Sequence, residues 1–185
     1  MADELIDILD ELGNPTSEVR LKSEAHKSGL YHASVHIWFY TKNREILFQK
    51  RAKDKDTYPD LWDISVAGHI GTGEPPINSA LREIHEEIGL STVTETDLLF
   101  VGRYAAKKQP KQGFFDNEFN YIYVSEFFGT LNSLQLQKEE VSDIKLLPIE
   151  TFINDLQDIK KRKKYVPHDK EYYDFILKKI INQLN

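Results

Sequence analysis

Apolar and polar positions along the chain follow two rhythms. Tyr31 to Tyr40 is rich in aromatic and branched residues, and Ile46 to Gln49 resumes after the polar turn Lys42-Asn43-Arg44, so the pair predicts a hairpin. Leu5 to Leu12 alternates loosely between apolar and acidic residues and ends at Gly13-Asn14-Pro15, which predicts a short strand and a turn. Beyond the charged loop Ala52 to Asp60, Leu61 to Val66 predicts a strand leading into Gly68. Leu98 to Ala105 and Glu118 to Phe128 predict longer strands, Lys107 to Gly113 a basic, mobile loop between them, and Ile144 to Leu147 another short strand. The helical rhythm appears from Ile77 to Ile88, where Ala80, Leu81, Ile84 and Ile88 supply a core face and Gly89 a stop. Phe152, Ile153 and Leu156 suggest a brief helix, and Tyr172, Tyr173, Ile176, Leu177, Ile180, Ile181 and Leu184 an amphipathic one at the C-terminus. Strands and helices in this mixed order predict an α+β layered domain. A length of 185 residues suits one domain over 1–185, with the first strand and last helix as its extensions.

The helix ending at Ile88 changes the picture from architecture to chemistry. Glu83, Glu86 and Glu87 lie at i, i+3 and i+4, so their carboxylates project from one face, opposite the core. A solvated acidic face is the usual reason for a charge run, but three crowded like charges repel, and a divalent cation is the simplest partner. Oxygen-only ligands select Mg2+ or Mn2+. The helix is preceded by the turn Gly71-Thr72-Gly73, and Gly68 to Leu90 fits G-x5-E-x7-R-E-U-x-E-E-x-G-U without a gap, U being apolar. At residue frequencies of roughly 5 to 7%, seven such identities coincide by chance about once in 10^8 to 10^9 windows.

This pattern resembles the signature of the Nudix hydrolases. The resemblance implies an α/β/α sandwich with a mixed sheet and cleavage of a diphosphate attached to another moiety, usually a nucleoside. It implies metal on Glu83, Glu86 and Glu87 with the Gly68 carbonyl as a further ligand, Arg82 holding the carboxylates by ion pairing, and Glu74 supporting the loop.

A second resemblance, to the type I isopentenyl-diphosphate isomerases that share the Nudix fold, is carried by Gln49-Lys50-Arg51, Lys55-Asp56 and the run Tyr58 to His69. It implies Arg51 and Lys55 as diphosphate contacts and a second metal site from His26, His32, His69, Asp116 and Glu118. Those isomerases transfer a proton with a cysteine directly before the Gly-His pair. Here that position is Ala67, whose methyl cannot. Leu136 to Val141, with Tyr165-Val166-Pro167, resembles the Nudix domain of certain plant enzymes. Glu83, Glu118 and Glu140 stand as candidate general bases. His36 and His85 read as core or surface residues, and Trp38, Trp62, Phe114 and Phe115 as core or lid residues more than base-stacking ones.

Charge and composition narrow the partners. A net charge of -6 disfavours bulk nucleic acid or an acidic membrane, so an anionic small-molecule diphosphate needs a local basic patch and bound metal. The absence of cysteine excludes zinc-thiolate sites and thiol nucleophiles and agrees with a reducing cytoplasm. The N-terminal residues are acidic and lack a long apolar core, so neither a signal peptide nor a membrane span is expected. The expectation is a metal-dependent phosphoanhydride hydrolase, with an isomerase and a catalytically silent nucleotide-binding module as alternatives.

Overall fold

The computed structural model describes residues 3–185; Met1 and Ala2, where the acidic N-terminal stretch begins, lie outside them. The fold is organised around one strand, β3 (Tyr31–Tyr40), following β1 (Leu5–Leu9), β2 (Pro15–Leu21) and helix α1 (Lys22–Ser28). Downstream come β4 (Glu45–Arg51), β5 (Trp62–Asp63), β6 (Val66–His69), α2 (Pro76–Ile88), β7 (Leu99–Lys111), β8 (Phe114–Glu126), β9 (Val141–Pro148), α3 (Ile149–Gln157) and α4 (Lys170–Leu184). β8 runs parallel to β3 from His32↔Glu118 to Tyr40↔Glu126, while β6 lies antiparallel against Ser34 to Ile37 and β1 against the start of the strand. β7 is antiparallel to β8, β2 to β1, and β4 to β5 and β9, so the sheet is mixed.

Alternation along β3 decides what lies on each face. Val35, Ile37 and Phe39 pack with Ala80, Ile84 and Ile88 of α2, whereas Trp38 and Tyr40 pack with Phe152 of α3 and Tyr172, Tyr173, Ile176 and Ile180 of α4. Each large side chain buried this completely contributes about 1.5–3 kcal/mol. Helices therefore cover both faces, giving the α/β/α layering. On the face bearing Trp38 and Tyr40, the preceding alternate residues are His32, Ser34 and His36. At that end the apolar layer gives way to a polar cavity.

Several sequence expectations need correction. β2 and α1 are additional elements; β2 is a mostly exposed edge strand with a polar sequence, and α1 has only seven residues. Lys107 to Lys111 is not a loop, because cross-strand pairing with Phe114 to Asn117 extends the hairpin to a tip at Gln112-Gly113. The strand expected at Leu61 to Val66 is divided, since Asp63 pairs with β4 and Val66 with β3. Trp38, by contrast, is the core residue expected, fully buried against α4 with no free face for a base.

Candidate active site

The polar end of the sheet opens into a cavity of about 810 Å³. Its wall on the α2 side carries the glutamates, which do not all face outward, opposite the core, as the helix pattern predicts. Glu83 and Glu87 are buried and turned into the cavity, and Glu86 alone is exposed, with 47% of its side chain accessible. Arg82 binds the group together: Nη1 donates to Glu83 Oε1 at 2.7 Å and Glu86 Oε2 at 3.2 Å, while Nε and Nη2 reach Glu74 at 3.3 and 3.2 Å. Nη2 also donates to the His69 carbonyl at 3.1 Å, tying the helix to β6. Glu74 accepts from Ser79 Oγ at 2.6 Å, so it braces the loop entering α2.

Gly68 is required by close approach. A Cβ built there falls 2.0 Å from Glu83 Cδ, so any side chain displaces that carboxylate. Burial, with the Glu83 charge nearby, raises the Glu87 carboxyl to about 8 despite hydrogen bonds from Gln49 at 3.1 Å and the Ala67 amide at 3.3 Å. Burial also raises Glu83, with Arg82 opposing. Two buried carboxyls pushed toward neutrality suit a site meant to hold a cation.

The opposite wall brings His26 from α1, His32 from β3, His69 from β6 and Glu118 from β8 together. His69 Nε2 is 3.4 Å and His32 Nε2 3.6 Å from Glu118 Oε1; Glu118 Oε2 accepts from Ser34 Oγ at 3.0 Å and Asn120 Nδ2 at 2.8 Å. His26 Nδ1 donates to the Phe115 carbonyl at 2.9 Å and His32 Nδ1 to that of Leu30 at 3.0 Å, which leaves their Nε2 lone pairs facing inward. His32 Nε2 is buried and has no hydrogen-bond partner among the described residues. Donor atoms of His26, His32 and His69 lie within 4.8 Å of one another, as do those of His32, Asp116 and Glu118. This nitrogen and oxygen set, with two rings oriented by backbone carbonyls, fits a transition-metal ion.

Burial and the neighbouring imidazoles lower His26 to about 4, and burial lowers His69. Burial works against charge on Glu118 too, but its histidine partners hold it well below the carboxylate range, and it in turn outweighs burial to raise His32. Asp116 is raised to about 7 by burial and by Glu118.

The expected diphosphate contacts line the same cavity but are engaged. Arg51 donates to the Thr57 carbonyl and hydroxyl and to Asp63 Oδ2 at 3.1 Å, and Lys55 is paired with Glu140. Asp63 also accepts from His168 Nε2 at 3.1 Å. Sequence reasoning gave no role to Asp63, although it lies in the Tyr58 to His69 run, or to His168, 105 positions further on beside Tyr165-Val166-Pro167. His36, read as core or surface, is buried and also lines the cavity, with Nδ1 2.7 Å from the Tyr172 hydroxyl. His85 is exposed. Phe114 stacks on His26 at 4.4 Å, and Trp62 lies under the Lys145 ammonium.

The NUDIX domain family matches residues 30–170. Nudix hydrolase 3 of Arabidopsis thaliana is 37% identical over 91% of this chain, which spans 22% of the plant protein's length. An isopentenyl-diphosphate Delta-isomerase of Pectobacterium atrosepticum is 29% identical over 73% of this chain and 71% of its own. Among solved structures, a Deinococcus radiodurans protein superposes with a TM-score of 0.62 at 18% identity, covering 83% of this chain and 89% of that one. The NUDIX domain of Shewanella oneidensis NrtR, solved with ADP ribose, does so with a TM-score of 0.57 at 14% identity, covering 83% and 88%. These two share the fold. Because the domain match takes in β3 through the cavity-lining tail and includes the whole Gly68 to Leu90 pattern, the chain belongs to the Nudix hydrolase family.

Proposed function

We propose that the protein is a metal-dependent hydrolase of a phosphoanhydride bond in a nucleoside diphosphate derivative or a related organic diphosphate. The observation that carries this reading is the inward-turned pair Glu83 and Glu87, organised with Glu86 by Arg82 and lining a cavity large enough for a nucleotide-sized ligand. Glu83, Glu86 and Glu87, with the Gly68 carbonyl, would hold Mg2+ or Mn2+, which supplies charge neutralisation on the phosphate oxygens when bound. His26, His32, His69, Asp116 and Glu118 would hold a second ion, for which nitrogen ligands favour Zn2+ or Mn2+.

The protein's own groups divide the remaining work. Arg51 and Lys55 add positive charge around the diphosphate, and Arg82 keeps the glutamates in register. Of the candidate bases, Glu118 has both oxygens engaged and holds its proton weakly, so it serves better as a ligand. Glu83 lies on the proposed metal. Glu140 keeps one oxygen beside the cavity without a partner among the described residues, and it is the group we assign to accept the proton of the attacking water.

That the NrtR domain was solved with ADP ribose supports a nucleoside diphosphate derivative as the first substrate to try. The isomerase alternative is disfavoured because Ala67 lines the cavity where a proton donor is needed. Among the described residues no helix is long and apolar enough to cross a membrane. The test is a screen of nucleoside diphosphate derivatives, nucleoside triphosphates, dinucleoside polyphosphates and prenyl diphosphates with Mg2+ and with Mn2+. Release of phosphate or pyrophosphate is expected. Conversion of isopentenyl to dimethylallyl diphosphate without hydrolysis overturns the reading, and binding without turnover of any of them favours the silent module.

A further inference from the structure

The cavity has a third wall, which neither the glutamate helix nor the histidine cluster uses. Its cations differ in what they face. Arg51 is paired with Asp63, Lys55 with Glu140 and Lys22 with Glu4. Lys108, half-buried on β7 and projecting into the cavity, has no carboxylate within ion-pair distance among the described residues. Its cross-strand neighbour Asp116 turns to His26 instead, at 3.7 Å. Lys108 Nζ donates to His168 Nδ1 at 3.0 Å. Because an ammonium only donates, that nitrogen accepts, and His168 carries its proton on Nε2, which it gives to Asp63.

The imidazole is thus fixed from three directions: by Asp63, by Lys108 and by stacking on Tyr172, with ring centroids 4.7 Å apart. His36 is oriented on the same wall. The Tyr172 hydroxyl accepts from Trp38 Nε1 at 3.0 Å, and among the described residues the acceptor within its reach is His36 Nδ1 at 2.7 Å. His36 therefore carries its proton on Nε2 and is a donor. A neutral ring can hold Lys108 in place without cancelling its charge, as a carboxylate would. Two of the three ammonium N–H bonds remain for a ligand.

We propose that Lys108 and His36 form an oxyanion subsite that receives a phosphoryl group of the substrate, with the Asp63–His168 pair as its positioning element. The ligand class is a phosphate or diphosphate oxygen. The arrangement rests on the hydrolase reading only for the identity of the whole substrate, since binding at this wall needs no bond to break. Lys107, exposed and pointing the other way on β7, provides a matched control.

The test is calorimetric titration of inorganic pyrophosphate in Mg2+ buffer. Lys108→Met should weaken binding at least about tenfold, the scale of a lost charge-assisted hydrogen bond, Lys108→Arg should recover most of it, and Lys107→Met should leave it unchanged. His168→Gln should weaken binding less than Lys108→Met. In the double variant it should add under about twofold, because it acts through the lysine. Full pyrophosphate affinity in Lys108→Met, or equal losses in Lys107→Met, overturns the subsite. If the wild type binds pyrophosphate through Lys108 but hydrolyses no diphosphate, the subsite stands and the hydrolase reading fails. If it hydrolyses substrates while Lys108→Met binds normally, the reverse holds.

Discussion

The glutamate wall and the histidine wall face one cavity but are built on opposite principles. Glu83, Glu86 and Glu87 are anionic, belong to one helix, and are held by a neighbouring guanidinium on that helix. His26, His32, His69 and Glu118 come from four different elements, and the rings of His26 and His32 are aimed by carbonyls. The first arrangement is a local device whose geometry follows from helix pitch. The second exists only once α1, β3, β6 and β8 are assembled. A hard, exchangeable cation suits the first wall, and a nitrogen-ligated ion the second.

The largest effect expected from breaking this contrast is on turnover. Glu86→Gln or Glu87→Gln keeps volume and removes a carboxyl group that the proposed cation would bind, so kcat on the best substrate should fall at least about 10^2-fold at saturating Mg2+ while the fold survives. Near wild-type turnover in either variant removes the metal role from the helix. Gly68→Ala should cost roughly 10- to 10^2-fold, because its methyl forces the Glu83 carboxylate aside and misplaced catalytic groups lose about that much. Steady-state kinetics beside a thermal melt separates this displacement from unfolding.

At the second wall, His32→Gln or His69→Gln should lower Zn2+ or Mn2+ affinity by at least about tenfold in a chelator competition, with less effect on Mg2+. Equal losses for all three ions, or none, would erase the distinction between the walls.

The smallest effect is in stability against pH, measured as Tm after chelation. Glu87 has a folded value of about 8, above its ordinary 4.5, so its contribution is full at low pH and is lost as pH rises toward and through 8. His26, lowered to about 4 from 6.5, contributes fully above 6.5 and loses that as pH falls toward 4. The two oppose below pH 6.5 and separate above it. Between pH 6.5 and 8 the Tm of the wild type should decline, and that of Glu87→Gln should decline less; identical slopes would contradict the burial argument.

The same contrast explains what was legible beforehand. Helix α2 could be read from its own residues, because the apolar spacing and the carboxylate spacing are both local. Burial of Glu83 and Glu87 could not, since it depends on Ala67, Gly68 and Gln49 arriving from β6 and β4. The histidines were brought together on paper by resemblance, as their sequence separations obey no helical or strand period. β2 was missed because an edge strand facing water needs no apolar alternation, and the β7–β8 arm because its lysines resemble a loop until β8 pairs with them. Nothing local connects Asp63 to His168, and only the return of the C-terminal segment alongside Trp62 brings them into contact.

Arg82 has a consequence for the order of events in the life of the chain. By donating to Glu74, Glu83 and Glu86 together, it supplies from within the helix the compensation that the carboxylates would otherwise need from outside. Repulsion among Glu74, Glu83 and Glu86 is therefore offset within the chain before any cation arrives. On the proposed metal reading, loading is then a step apart from folding, and the chelated protein should keep a cooperative thermal melt.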